Sequence, residues 1–76
     1  MNIKLVNLGM CRAWNCYYRA YAAYYGQRVR GRMPDLVLVL GKCSTKRIAE
    51  LCSASNLPMP TMIVIVDGRV TQVVTA

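Results

Sequence analysis

The sequence predicts an α/β domain with the element order βαβαββ and a mixed four-stranded sheet. Two uninterrupted apolar runs, 36–40 and 62–66, consist mainly of Val, Ile and Leu, which is typical of strands that are buried on both faces. Two other segments, 11–25 and 44–54, carry apolar residues at the three- and four-residue spacing of amphipathic helices. A short apolar segment opens the chain, and an Asp-Gly pair separates the last two strands.

The first half of the chain divides into a strand, a helix and a basic loop. Residues 3–8 form the first strand, which ends near Gly9. The helix over 11–25 stops at Gly26, and residues 26–35 connect it to the second strand, 36–40. The chain contains no Phe, so we expect aromatic residues of this helix to fill the core in its place: Trp14, Tyr18, Tyr21 and Tyr25.

The second half has clearer local signals. Ser44 is a good N-cap for a helix through about Ala54, which Asn56 and the following proline close. Pro58 and Pro60 force extended geometry, so a third strand begins at about Thr61 and runs to Val66. Asp67-Gly68 predicts a hairpin turn into a last strand over 70–75.

The helix-linked strands predict where a site would lie. The first and second strands should be parallel, so both end at the same edge of the sheet. Cys11 follows the first strand and Cys43 follows the second, and ligand sites of open α/β sheets gather at such edges. If the third strand runs antiparallel beside the first, Pro60 reaches this edge too.

Composition restricts the class of protein. Seventy-six residues with 55% hydrophobic and 17% charged side chains make one globular domain, 1–76. No apolar run approaches the roughly 20 residues of a membrane span, so we predict a cytoplasmic protein without a membrane partner. The net charge of +7 predicts attraction to polyanions such as nucleic acid or an acidic protein surface, or else serves solubility alone.

The cysteines restrict the chemistry. The chain has four of them and no histidine, which excludes Cys-His nucleophile pairs and mixed Cys-His zinc sites. The spacings of four and eight intervening residues also differ from those of usual zinc sites, so no metal is predicted. Cys16 and Cys52 fall on apolar helical faces and are expected in the core. At the start of the first helix and beside Arg12, Cys11 would have a lowered thiol pKa.

The chain resembles the thioredoxin superfamily, and within it the small glutaredoxin-like redoxins. The resemblance is carried by strand 3–8, by Cys11, by Met59-Pro60-Thr61 and by the hairpin 62–70. It implies a thioredoxin-like fold that lacks the usual final helix. It also implies a cis Pro60 facing Cys11, although X-Pro bonds are cis in only about 5% of folded cases. Met59 and Thr61 would contact substrate or glutathione.

The family's C-x-x-C motif is broken here. Cys16 lies five positions after Cys11, and Trp14 stands where the second family cysteine would be, in the substrate site. Five helical residues rise about 7.5 Å, so Cys11 and Cys16 can pair only if Cys11 lies outside the helix. Cys43 is the other candidate partner of Cys11.

Two functions are therefore open. The first is a glutaredoxin-like thiol–disulfide oxidoreductase that uses Cys11, with Cys43 as a resolving thiol and a protein disulfide or glutathione as substrate. The second is a redox-inactive binding protein, like the small basic proteins of phages, that holds nucleic acid or inhibits a host enzyme. Its binding surface would interleave arginines with aromatics: Arg12, Tyr17, Arg19, Tyr24, Arg28, Arg30 and Arg32.

Overall fold

The computed structural model describes residues 1–9, 11 and 16–75. It confirms the α/β class and the order βαβαββ, and no helix follows the last strand within the described residues. The elements are β1 (Ile3–Asn7), α1 (Cys16–Val29), β2 (Leu36–Leu40), α2 (Thr45–Ala54), β3 (Met62–Val66) and β4 (Arg69–Val74). No helix in this part of the chain is long and apolar enough to cross a membrane.

The four strands form one sheet in the order β1-β2-β3-β4. The first three strands are parallel and β4 is antiparallel to β3, so the sheet is mixed. The condition for Pro60 to reach the edge with Cys11, a β3 antiparallel beside β1, is not met, since β3 pairs with β2 in parallel. The physical reason is that α2 makes a second crossover, and a helical crossover is the usual connection between parallel neighbours.

One face of the sheet carries the core. Val6 of β1, Val37 and Val39 of β2 and Val64 of β3 are between 0% and 8% exposed and cluster with buried residues of both helices. α1 also packs against α2. Both helices therefore cover the same face.

The opposite face of the sheet, called the open face below, is apolar and only partly buried. Within one chain, β2 and β3 are therefore buried on one face only, contrary to the expectation for 36–40 and 62–66, because no element of the described chain lies over the other side. The register aligns its residues in rows across the strands: Ile3, Leu5, Leu36, Leu38, Leu40, Ile63, Ile65, Val70 and Val73.

Helix α1 lies later in the chain than predicted. It runs through Gly26, which was expected to stop it, because a single helical glycine costs only about 0.5–1 kcal/mol. It ends at Val29, and Gly31, two residues later, provides the left-handed cap with a φ of +74°. The N–H of Arg32 donates to the carbonyl of Gln27 at 2.9 Å, which completes that cap.

Helix α2 and the hairpin agree with the predictions. The Ser44 hydroxyl accepts from the N–H of Arg47 at 3.3 Å, and Asn56, with a φ of +59°, closes the helix. Asp67 and Gly68 have φ values of +52° and +75°, as a two-residue turn between right-twisted strands requires. These connections fix the loops that surround the candidate site.

Candidate functional site

An open groove of about 1300 Å³ lies where the three parallel strands end. It is the position at which ligand sites of open α/β sheets gather, as expected from the topology. Gly41 allows the strand ends to approach: a Cβ atom there would lie 2.9 Å from the Leu8 Cβ, and its φ is +127°. Lys42, Ser44 and Asp67 contribute polar groups to the lining.

The groove contains a disulfide bond between Cys11 and Cys16. Their Cα atoms are 6.0 Å apart, a usual distance for a disulfide, and both residues are partly exposed. Cys11 was expected to start the helix, but α1 begins at Cys16. Cys11 therefore lies outside the helix, as its pairing with Cys16 requires. The expectation that Cys16 is simply a core residue is wrong.

The other two cysteines are free and buried. Cys43 lines the groove but is only 7% exposed, and burial raises the pKa of its thiol to about 11. Cys52 is 1% exposed on the core side of α2, as expected, and burial raises its pKa as well. Both thiols stay protonated at neutral pH, so neither is activated as a nucleophile.

Gln72 is a part of the groove that the sequence argument missed. Its Nε2 donates to the Cys43 carbonyl at 2.6 Å, and its Oε1 accepts from Thr45 Oγ1 at 2.7 Å and from the Thr45 N–H at 3.1 Å. The side chain therefore ties β4 to the loop that carries Cys43. The available signal was a glutamine two positions from each of Val70 and Val74 in the last strand.

The Pro60 segment does not belong to this groove. The Thr61 carbonyl accepts from the N–H of Val37 at the start of β2, so Met59, Pro60 and Thr61 lie at the amino end of the parallel strands, opposite Cys11. The chain contains no cis peptide bond within its described residues, so Pro60 is trans. Both expectations from the resemblance are therefore wrong, and Pro60 lies at the end of the sheet opposite Cys11 because β3 is parallel to β2.

The tyrosines of α1 are distributed differently from the prediction. Tyr24 was expected to be exposed, but it is 1% exposed and donates to the Pro58 carbonyl at 2.6 Å. Tyr18 and Tyr25 were expected in the core, but they are 51% and 46% exposed. The reason is the helix phase: Ala20, Tyr21 and Tyr24 face the sheet, which leaves Tyr18 and Tyr25 outside. Tyr17 is partly buried and lines the groove.

The basic residues lie mainly around α1 and its C-terminal end. Arg19, Arg30 and Arg32 are exposed, whereas Arg28 is partly buried and contacts Met33 Sδ at 3.0 Å. Within the described residues the single ion pair is Arg47–Glu50. Arg12 and Trp14 lie outside the described residues.

Comparisons of the chain with family models, with curated proteins and with solved structures found no match. The resemblance to the thioredoxin superfamily therefore stays a prediction.

Proposed function

We propose that the protein is a thiol–disulfide oxidoreductase whose redox couple is Cys11–Cys16. The observation that supports this most is that the disulfide is partly exposed and lines the open groove at the sheet edge. The groove gives a substrate sulfur a path to the bond, which a disulfide buried in the core would not have. Cys16 replaces Cys43 as the expected partner of Cys11.

The position of α1 assigns different roles to the two sulfurs. Cys16 is the first residue of α1, where the helix dipole stabilises a thiolate, so its sulfur is the better leaving group. A substrate thiolate attacks Cys11 Sγ, a mixed disulfide forms, and the bonding pair leaves on Cys16 Sγ. A second substrate thiolate then attacks the substrate sulfur of the mixed disulfide and releases Cys11. The substrate pair is oxidised to a disulfide, and Cys11 and Cys16 gain the two electrons.

Cys43 has no part in this cycle. With a pKa of about 11, only about one thiol in ten thousand is ionised at neutral pH. Cys16, and not Cys43, is the redox partner of Cys11.

We propose glutathione or a protein dithiol as the reductant and glutathione disulfide or a protein disulfide as the oxidant that returns Cys11 and Cys16 to the disulfide, and the proposed location is the cytoplasm. Static disulfides are rare in a reducing compartment, where those that form are usually transient. A pair that opens and closes fits that environment.

Single-cysteine variants test the proposal. Oxidised wild-type protein should oxidise a dithiol peptide, while Cys11→Ser and Cys16→Ser lose turnover. With glutathione disulfide in place of the peptide, Cys16→Ser should still form a mixed disulfide, because the Cys11 thiolate attacks one glutathione sulfur and the other leaves as glutathione thiolate. Cys43→Ala and Cys52→Ala are the matched controls and should keep turnover. Wild-type turnover at the rate of free cystine, or loss of turnover only with Cys43→Ala, would contradict the proposal.

We propose binding of single-stranded nucleic acid as the second candidate function. The observation that favours it is the exposed pair Tyr18 and Tyr25, which border a shallow cleft of about 360 Å³ with Ser55. Aromatic faces can stack on bases, and the exposed Arg30 and Arg32 that follow α1 can contact phosphates. An acidic protein surface, including that of an inhibited enzyme, would be the alternative partner.

A fluorescent oligonucleotide tests this second function. The double variant Tyr18→Ala, Tyr25→Ala should weaken binding. The double variant Arg30→Gln, Arg32→Gln should reduce the slope of log K against log salt concentration by about one to two. Arg47→Gln is the control, because Arg47 is paired with Glu50 on α2. Equal losses in all three proteins would indicate a diffuse charge effect and contradict a specific surface.

A further inference from the structure

The open face of the sheet is the largest feature that the proposed function does not use. It carries nine aliphatic side chains in register across four strands. Ile3, Leu5, Val70 and Val73 are between 50% and 62% exposed, and the residues of the two central strands are partly exposed. None of the strand residues that face this side carries a charge.

The sequences of the central strands are those of doubly covered strands. LVLVL in β2 and MIVIV in β3 contain no polar residue at either phase of the pleat. A sheet with one wet face normally alternates apolar and polar residues, whereas uninterrupted Val, Ile and Leu runs occur where both faces are covered. In the described chain helices cover only one face of the sheet, so the sequences of β2 and β3 indicate that a further layer covers the open face.

The exposed area points the same way. The open face contributes roughly 600 Å² of apolar surface, at the upper end of the largest patches on monomeric proteins. Two such faces in contact would bury roughly 1,200 Å², which reaches the size of specific protein interfaces.

We propose that a second copy of this chain covers the open face, so that the protein is a two-fold symmetric dimer with sheet packed on sheet. A two-fold contact joins the same patch on both subunits, and an uncharged apolar patch is complementary to itself. Two aligned sheets pack about 10 Å apart at roughly −30°, with their aliphatic side chains interdigitated.

The distribution of charge favours a second copy as the occupant. Each copy has a net charge of +7, so association would be unfavourable if the cations faced each other. The exposed Arg19 lies on α1 and the exposed Lys46 and Arg47 lie on α2, on the helical side of the sheet. Packing the open faces together places these cations on the two outer surfaces of the dimer.

The interface does not include the disulfide. Cys11, Cys16 and Tyr17 pack against the core cluster on the helical side. Leu40 and Ile65 belong to the open face and also line the groove, so the two sites adjoin. Val73 and the two cysteines each belong to one site alone, so their variants test the two proposals separately.

Two matched substitutions test the dimer. Val73 on the open face and Val29 at the end of α1 are the same residue type and are 62% and 65% exposed. Sedimentation equilibrium between about 1 and 300 µM chain covers the range in which a Kd near 1 µM is measurable. We expect the wild type to sediment at twice the chain mass, and Val73→Glu to raise the dimer Kd at least 100-fold by placing unpaired carboxylates in a dry contact. Val29→Glu should leave the Kd unchanged.

Unfolding of the unmodified protein gives an independent measurement, should Val73→Glu fail to fold. The Tm of a dimer rises with protein concentration, whereas the Tm of a monomer does not change. A wild-type monomer at the highest concentration would overturn the proposal, as would a dimer that Val29→Glu dissociates and Val73→Glu does not. Adsorption of a monomer to neutral phosphatidylcholine vesicles through Val73 would overturn it too, because a lipid surface would then be the occupant.

Discussion

Removing the Cys11–Cys16 bond should lower the free energy of unfolding by only about 2 kcal/mol. The bond joins residues 5 positions apart, and a loop this short loses little conformational entropy on closure in the unfolded chain. The same chain-entropy relation gives about 3 kcal/mol for a 15-residue loop and about 4.7 kcal/mol for 100 residues. A domain of this length has a stability of about 4–11 kcal/mol, so the reduced protein should remain folded.

Urea unfolding of three proteins measures this: oxidised wild type, reduced wild type, and the double variant Cys11→Ser with Cys16→Ser. We expect the two proteins without the bond to have similar midpoints, both below that of the oxidised protein, and all three to have native circular dichroism in water. The reasoning is refuted if the reduced protein is unfolded in water, or if the loss exceeds about 4 kcal/mol. The bond would then hold the fold together and could not open in each turnover.

Three further expectations concern the groove and the core. Gly41→Ala should lower the free energy of unfolding by about 1–3 kcal/mol, because the backbone there has a positive φ and the added Cβ would lie 2.9 Å from a neighbouring atom. Gly26→Ala, whose Cβ would meet open space in α1, should instead raise the free energy of unfolding by about 0.5–1 kcal/mol in the same urea assay. Tyr24→Phe should lose about 0.5–1.5 kcal/mol, the usual net contribution of one hydrogen bond, because the Pro58 carbonyl loses its donor. The exposed Tyr25→Phe should change little, and equal effects would contradict the assigned hydrogen bond. Folding raises the pKa of Cys43 from 9.0 to about 11, so the contribution of its buried thiol to stability is complete below pH 9.0 and is lost as pH rises towards about 11. Over this pH range, the free energy of unfolding measured in urea should fall more steeply for wild type than for Cys43→Ala, by up to about 1.4 kcal/mol per pH unit. Parallel curves for the two proteins would contradict the pKa shift.

Local backbone chemistry made part of the fold predictable. Ser44 as N-cap, Asn56 as helix stop and Asp67-Gly68 as hairpin turn depend on a few neighbouring residues, and all three occur as expected. The boundaries of α1 were less predictable, because Gly26 is tolerated inside the helix and tyrosines surround most of it. A small error in phase then exchanged buried Tyr24 for exposed Tyr18.

The position of β3 depended on information that short segments do not contain. The apolar pattern of β3 is compatible with pairing to β1 or to β2, and the choice of partner decides at which edge of the sheet Pro60 lies. The edge containing Cys11 and Cys43 was predictable, since it requires only that β1 and β2 are parallel. The pairing of Cys11 with Cys16 was conditional on where α1 begins, which the sequence placed too early.

The equilibrium of the Cys11–Cys16 pair with glutathione tests the redox proposal most directly. The folded protein would be incubated in glutathione buffers of graded potential, alkylated, and assayed by peptide mass for reduction at these two positions. We expect half-reduction between about −270 and −120 mV, the range of redox-active proteins. A midpoint below about −300 mV would identify a structural disulfide and contradict the proposed function.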